Sequence, residues 1–170
     1  IFDNPRDCIG LALKALGYSF NTTDKDEIAK ATDLLIKQKE DGIVQAYVMD
    51  QIFDKMINNE AAMGTYYAGD YLTMVEENPD LAFVQPEEGS NLFVDAMCIP
   101  AASKNKEAAE CFIDFMCRPD IARMNMDYIY YSTPIQAVVD GMSEEEAANE
   151  VLNPPQDVVD RCEFFRDMSD

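Results

Sequence analysis

A chain of 170 residues, 48% of them hydrophobic, is long enough for one compact domain or a large piece of a two-lobed protein with a real core. Its 33 acidic residues against 13 basic ones give a net charge of −20, a field that repels phosphate backbones, gathers small cations and argues against nucleic-acid binding. There is no His, so Ser/His/Asp and Cys/His catalysis are excluded, and five cysteines without a CxxC pair (Cys8, Cys98, Cys111, Cys117, Cys162) argue against structural zinc and a disulfide framework.

Residues 5–16 read as a helix: Pro5 suits the first turn, Ile9, Leu13 and Leu16 line one side, and Gly17 ends it. Thr22–Asp24 is an N-cap cluster for a second helix to about Lys39, with Ile28, Ala31, Leu35 and neighbouring Leu34 on its apolar side. A strand is expected over 43–49, then a helix over 51–57 capped by Asp50. A strand over 61–67, a helix over 70–76, a turn at Asn78–Asp80 and a third strand over 81–85 follow. Strand–helix–strand–helix–strand is the signature of a parallel α/β sheet.

After a turn at 86–90, a strand is expected over 91–99, stopped by Pro100. A helix then runs to Cys117, with Ala108, Phe112, Phe115 and Met116 facing inward. Pro119 ends it, and Asp120 caps another helix over 120–128. Thr133–Pro134 breaks the chain. Ser143–Glu146 has capping-box spacing and starts a helix to about Leu152, and Pro154–Pro155 introduces a last helix ending near Met168. Cys8, Cys111 and Cys162 fall in apolar-periodic stretches and read as small buried hydrophobes. No internal repeat, low-complexity tract or hydrophilic linker divides the chain, and no apolar run approaches the ~20 residues of a membrane span. The first residues, Ile1–Asn4, show no signal-peptide pattern.

A small organic cation is held by aromatic faces and by carboxylates that accept charge-assisted hydrogen bonds, projecting from the carboxyl ends of strands. Three segments offer these groups: Tyr66–Asp70 at a strand–helix junction, Phe93–Asp95 in the next strand, and Asp3–Asp7 at the start of the first helix. Taken singly each residue has a plainer use. Tyr67 and Phe93 are ordinary core aromatics, and Asn4 and Asp7 are ordinary helix-start residues. Asp95 inside an apolar strand stands out, because a buried carboxylate needs a partner. Paired carboxylates of an acid/base hydrolase are easy to find in so acidic a chain and carry little weight, and no DxDxDG-type calcium loop is present.

In these segments and beyond them the sequence resembles the spermidine/putrescine-binding proteins of polyamine ABC importers. The resemblance runs in order through Phe2–Asp7, Ala15–Ser19, Asn21–Asp24, Tyr66–Asp70, Glu76–Leu81, Pro86–Met97, Ile99–Pro100, Ala102–Ala108, Phe115–Asp120, Thr133–Pro134 and Pro154–Pro155. Members match this chain in their second half. The resemblance implies an α/β fold: one lobe plus the crossover segment of a two-lobed, periplasmic-binding-protein-like (type II) fold, with ligand held between closing lobes. Residues 1–94 and 140–170 correspond to the second lobe, and 95–139 to the segment returning to the first.

Carried over by position, the implied ligand-binding residues are Asn4, Asp7, Tyr67, Phe93 and Asp95, with Asp95 pairing a ligand amine. Phe93 and Tyr67 stand where many members have Trp, Asn4 where Asp is frequent and Asp7 where Glu is common. Phe165 falls roughly where some members place a polar contact. The implied protein is an extracytoplasmic binding component, in the periplasm or on the outer face of the cell membrane. It catalyses nothing and takes no cofactor. Its partners are a polyamine and the ABC permease, and it meets the membrane only through an anchor or that permease. A fragment that is purely structural, or a receptor for another small solute, is the alternative.

Overall fold

The computed structural model describes residues 1–167, in two compact units. The first comprises Ile1–Phe93 and the stretch from Pro155; the second is Val94–Pro154.

The first unit is built on two amphipathic helices packed on each other and a run of extended segments. Helix α1 spans Pro5–Ala15 and α2 spans Lys25–Glu40. Asn4 caps α1, its side-chain oxygen accepting from the backbone N–H of Arg6 (3.1 Å) and Asp7 (3.5 Å). Asp24 caps α2 in the same way, accepting from Asp26 and Glu27. At the other end of α1, Gly17 takes the left-handed φ of 78° while its N–H donates to Lys14, and Tyr18 N–H returns to Leu13, which satisfies two helix-end carbonyls. Ala12, Leu13 and Ala31 form the buried contact, flanked by Ile9, Tyr18 and Leu35; Leu34 and Leu16 point outward.

Helix α3 (Ile52–Ile57) and α4 (Ala68–Glu77) follow. Asp50 does not cap α3, whose N-cap is Gln51; the Asp50 carboxylate instead accepts from the Tyr66 hydroxyl. Asn78, at the end of α4, is buried, and its amide donates to the carbonyls of Met56 (3.2 Å) and Ile57 (3.0 Å) and to Asn59 Oδ1 (3.2 Å). It ties the last turn of α3 to the chain leaving α4.

The parallel sheet is smaller than the alternation predicts. Strand β1 is Asn91–Leu92, paired in parallel with β2, Glu163–Phe164. Segments 43–49, 61–67 and 81–85 do not form strands, and 91–99 is a strand only over its first two residues. For the segment 61–67 one physical reason is visible at Phe2. It bridges Val48 in parallel, yet its N–H donates to the Thr65 hydroxyl, so a side chain holds the donor that a ladder to 61–67 needs. Strand β2 and its approach replace the expected long last helix: α9 covers only Gln156–Val159, and the expected end near Met168 lies outside the described residues. Gly89 (φ 91°) makes the turn into β1, where an added Cβ would stand 2.0 Å from the Arg161 carbonyl oxygen.

The second unit is helical: α5 (Lys106–Met116), α6 (Pro119–Ile129), α7 (Gln136–Val139) and α8 (Glu144–Ala147). Ala122, Met126 and Val138 form its core with Ile135 and Met142. Arg118, not Asp120, is the N-cap of α6, and the Asp120 carboxylate is engaged by the Arg118 guanidinium (2.7 Å). The capping box at Ser143 forms as expected, but α8 stops at Ala147 rather than near Leu152, because Asn149 starts a turn by accepting from Val151 and Leu152. Helix α5 buries none of its residues. Ala108, Phe112 and Phe115, expected to face inward, are exposed, as is Cys111. Cys8 is buried, as read from the sequence, whereas Cys162 is only half-buried.

Candidate functional site

Four of the five residues predicted from the sequence lie in the first unit, and the structure joins them in two pairs. Tyr67 and Phe93 meet with ring centroids 5.2 Å apart. Tyr67 is the N-cap of α4 at the end of an extended segment, and Phe93 directly follows β1, so a helix start and a strand end place the two rings. The corner is larger than expected: buried Phe2 stacks on Tyr66 (5.3 Å) and packs edge-on against Tyr67 (5.1 Å), and Phe53 meets Tyr66 edge-on (5.4 Å). Phe93 remains 42% exposed, so one side of this corner faces outward.

Asn4 and Asp7 form the second pair, at the start of α1. Asn4 spends its carbonyl oxygen on the cap. Asp7 Oδ1 accepts from Asn91 Nδ2 at 3.3 Å, which ties α1 to the strand leading to Phe93. Burial pushes the Asp7 carboxyl above its ordinary value, partly offset by the neighbouring Arg6 charge. Asp95 does not occupy the buried strand position expected of it. It is exposed, in the second unit, because the chain leaves β1 after Leu92.

Sequence reasoning placed Tyr66 and Asp70 in a candidate segment without singling them out, and took Asp50 for a helix cap. The Tyr66 hydroxyl donates to Asp50 (3.0 Å), and burial, reinforced by this carboxylate, raises the phenol well above its usual range. Burial, with Asp50 close by, likewise raises Asp70. The aromatic doublet Tyr66–Tyr67 was the available signal. The β2 edge was missed. Burial pushes Glu163 up, but hydrogen bonds from Lys14 and Ser19, the Lys14 charge (2.6 Å) and the Phe20 amide outweigh it, and the carboxyl titrates below its usual value. The short run Cys162–Phe165 was its only trace in the sequence.

This collection of aromatic rings and carboxylates suits an organic cation. Among the described residues no group of three or more His, Cys, Asp or Glu is placed to hold a metal ion, and no helix is long and apolar enough to cross a membrane.

The chain is 33% identical over 168 residues to the spermidine/putrescine-binding periplasmic protein of Salmonella typhimurium, covering 99% of this chain and 48% of that protein. It is 28% identical to a putrescine-binding periplasmic protein of Escherichia coli, covering 96% of this chain and 45% of the relative. The crystal structure of a spermidine/putrescine ABC transporter substrate-binding protein from Streptococcus pneumoniae, in complex with calcium and HEPES, superposes with a TM-score of 0.84 at 34% identity. That match covers 99% of this chain and 51% of the other. The chain thus spans about half the length of the relatives it matches. Its fold is α/β, one lobe plus crossover segment of a two-lobed periplasmic-binding-protein-like architecture. A family match extends over residues 1–154, and the chain belongs to the bacterial extracellular solute-binding proteins.

Proposed function

We propose that this chain is the second half of an extracytoplasmic solute-binding component of an ABC importer, and that the whole protein binds a putrescine- or spermidine-type polyamine between its lobes. The observation that carries this is the partly exposed ring corner of Tyr67 and Phe93, 5.2 Å apart, at the start of α4 and the end of β1, beside acidic side chains. The relatives named for spermidine and putrescine support the ligand class. Residues 1–94 and 140–170 are assigned to the second lobe and 95–139 to the crossover. The change of compact unit after Phe93 supports the first boundary, while the return to the first unit comes at Pro155, later than residue 140.

In this role Tyr67 and Phe93 face the methylene and ammonium groups of the ligand, Asp95 pairs one amine, and Asn4 and Asp7 shape the site at the start of α1. The protein binds and releases without chemistry, delivering its ligand to the permease outside the cytoplasm. A chain without His, and relatives that are transport binding proteins, support this.

The test is calorimetry of the whole protein with putrescine, spermidine and spermine at low and moderate salt. Binding should weaken with salt, given the −20 charge of this half alone. Asp95→Ala should cost about 1.5–3 kcal/mol, roughly 10- to 100-fold in Kd. Unchanged affinity in that variant removes Asp95 from the site, and no heat with any of the three amines removes polyamines as the ligand class.

A further inference from the structure

We infer that Arg6 is a specificity-determining residue of this site: it fills a cation position on Phe165 from within the chain, and so favours a diamine over a longer triamine. The inference rests on the polyamine reading above.

The aromatic edge near α1 differs from the Tyr67 corner in what occupies it. The guanidinium carbon of Arg6 lies 4.3 Å from the Phe165 ring centroid, and its Nη2 donates to the Arg166 carbonyl. Two contacts of different kinds hold one side chain, so its charge has a defined place. The ring beneath it is anchored: Phe165 meets buried Phe20 edge-on at 5.6 Å. Phe20 in turn fits because position 10 has no side chain; a Cβ on Gly10 would stand 2.2 Å from Phe20 Cδ1. Lys14, one more turn along, lies 5.6 Å from the Phe20 ring and pairs with Glu163 at 2.6 Å. Positions 6, 10 and 14 form one stripe of α1, and that stripe carries the protein's own cations against the aromatic pair Phe20–Phe165.

The neighbouring acid is correspondingly weak as a receptor for another ammonium. Asp7 sits beside Arg6 and already accepts from Asn91 at 3.3 Å, and neighbouring Asn4, a neutral amide committed to the cap, adds no charge. A third ammonium reaching toward Phe165 would therefore meet a ring face covered by a guanidinium. At the Tyr66–Tyr67 corner the titratable neighbours are instead the acids Asp50 and Asp70. The β1–β2 register sets Leu92 beside Phe164, so the chain runs on into Phe93 and Phe165 from paired positions. The first ring meets Tyr67 and the second already carries a cation.

The experiment is calorimetry of the whole protein, comparing putrescine with spermidine for the parent, Arg6→Gln and Arg6→Lys. Arg6→Gln should tighten spermidine roughly five- to tenfold while leaving putrescine within about twofold. Arg6→Lys keeps the charge and should keep the parent's ratio. Arg6→Met, which retains the packing of the stem, serves should the Gln variant fail to fold. Parent and charge-removed variants that bind both amines with the same ratio overturn the role of Arg6 while polyamine binding stands. Equal weakening of both amines makes Arg6 merely structural and overturns it too. A parent that binds neither amine defeats the polyamine reading, and this inference with it.

Discussion

Helices α1 and α5 are both 11 residues long and both carry an apolar stripe, yet they end in opposite situations. Helix α1 buries Cys8, Gly10, Ala12 and Leu13 against α2 and the loop at Phe20; α5 buries nothing, and Phe112 is 58% exposed. The difference is one of partners. Helix α1 is followed by α2, which presents Ala31 at its middle and closes an interhelical contact within 40 residues of chain. Helix α5 is followed by α6, whose buried side turns instead to α7. Periodicity tells which side of a helix is apolar. It does not tell whether the described chain contains anything to lay against it.

That contrast can be broken most decisively at its two central side chains. Leu13→Ala should destabilise the first unit by roughly 2–5 kcal/mol, the range for emptying a closed core site. Phe112→Ala in the second unit should cost less than about 1 kcal/mol in urea denaturation, since its ring is already more than half in water. Comparable losses at both positions would mean that α5 is covered in solution.

A pair of glycines sharpens the point at smaller amplitude. Gly10→Ala pushes a Cβ into the buried Phe20 ring and should cost about 1–3 kcal/mol. Gly141→Ala in the second unit meets only the carbonyls of Ala137 and Val138, at 3.4 and 3.6 Å, and should be neutral or stabilising by up to about 1 kcal/mol. Thermal unfolding of the two variants reads both signs.

The smallest effect concerns acid. Hydrogen bonds from Arg123 and from the Ser143 capping box hold Glu146 down to about 2. A carboxyl whose folded value lies below its unfolded one stabilises the fold above the ordinary value of 4.5, and loses that contribution as pH falls toward about 2. Asp7 runs the other way: raised by burial, it opposes folding once ionised. Glu146→Gln should therefore flatten the acid side of the second unit's pH–stability curve, and an unchanged curve would remove the Arg123–Glu146 pair as its cause.

How much of this was legible in the sequence follows the range of the forces. Caps and turns act over three or four residues, and Asn4, Asp24, Gly17 and Ser143 do locally what their chemistry predicts. Strands need a distant partner in register, and there the reading failed: 43–49 obtains a single bridge, and β1 finds its partner some 70 positions away in a run too short to signal itself. The aromatic corner was half legible. Tyr67 and Phe93 carried the pattern, but buried Phe2 and the hydroxyl bond of Tyr66 to Asp50 depend on extended segments that only the fold brings together.

The turn at Gly89 has a consequence for how this protein can vary. Any side chain there must displace the Arg161 carbonyl, two residues ahead of the Glu163 that pairs with Asn91, so a substitution reaches the β1–β2 register through the backbone. Its exposed neighbours Glu87 and Glu88 have no such reach. In a saturation library this turn should show two permissive positions beside a forbidden one, with the least conspicuous residue of the three setting how far apart two stretches of chain may lie.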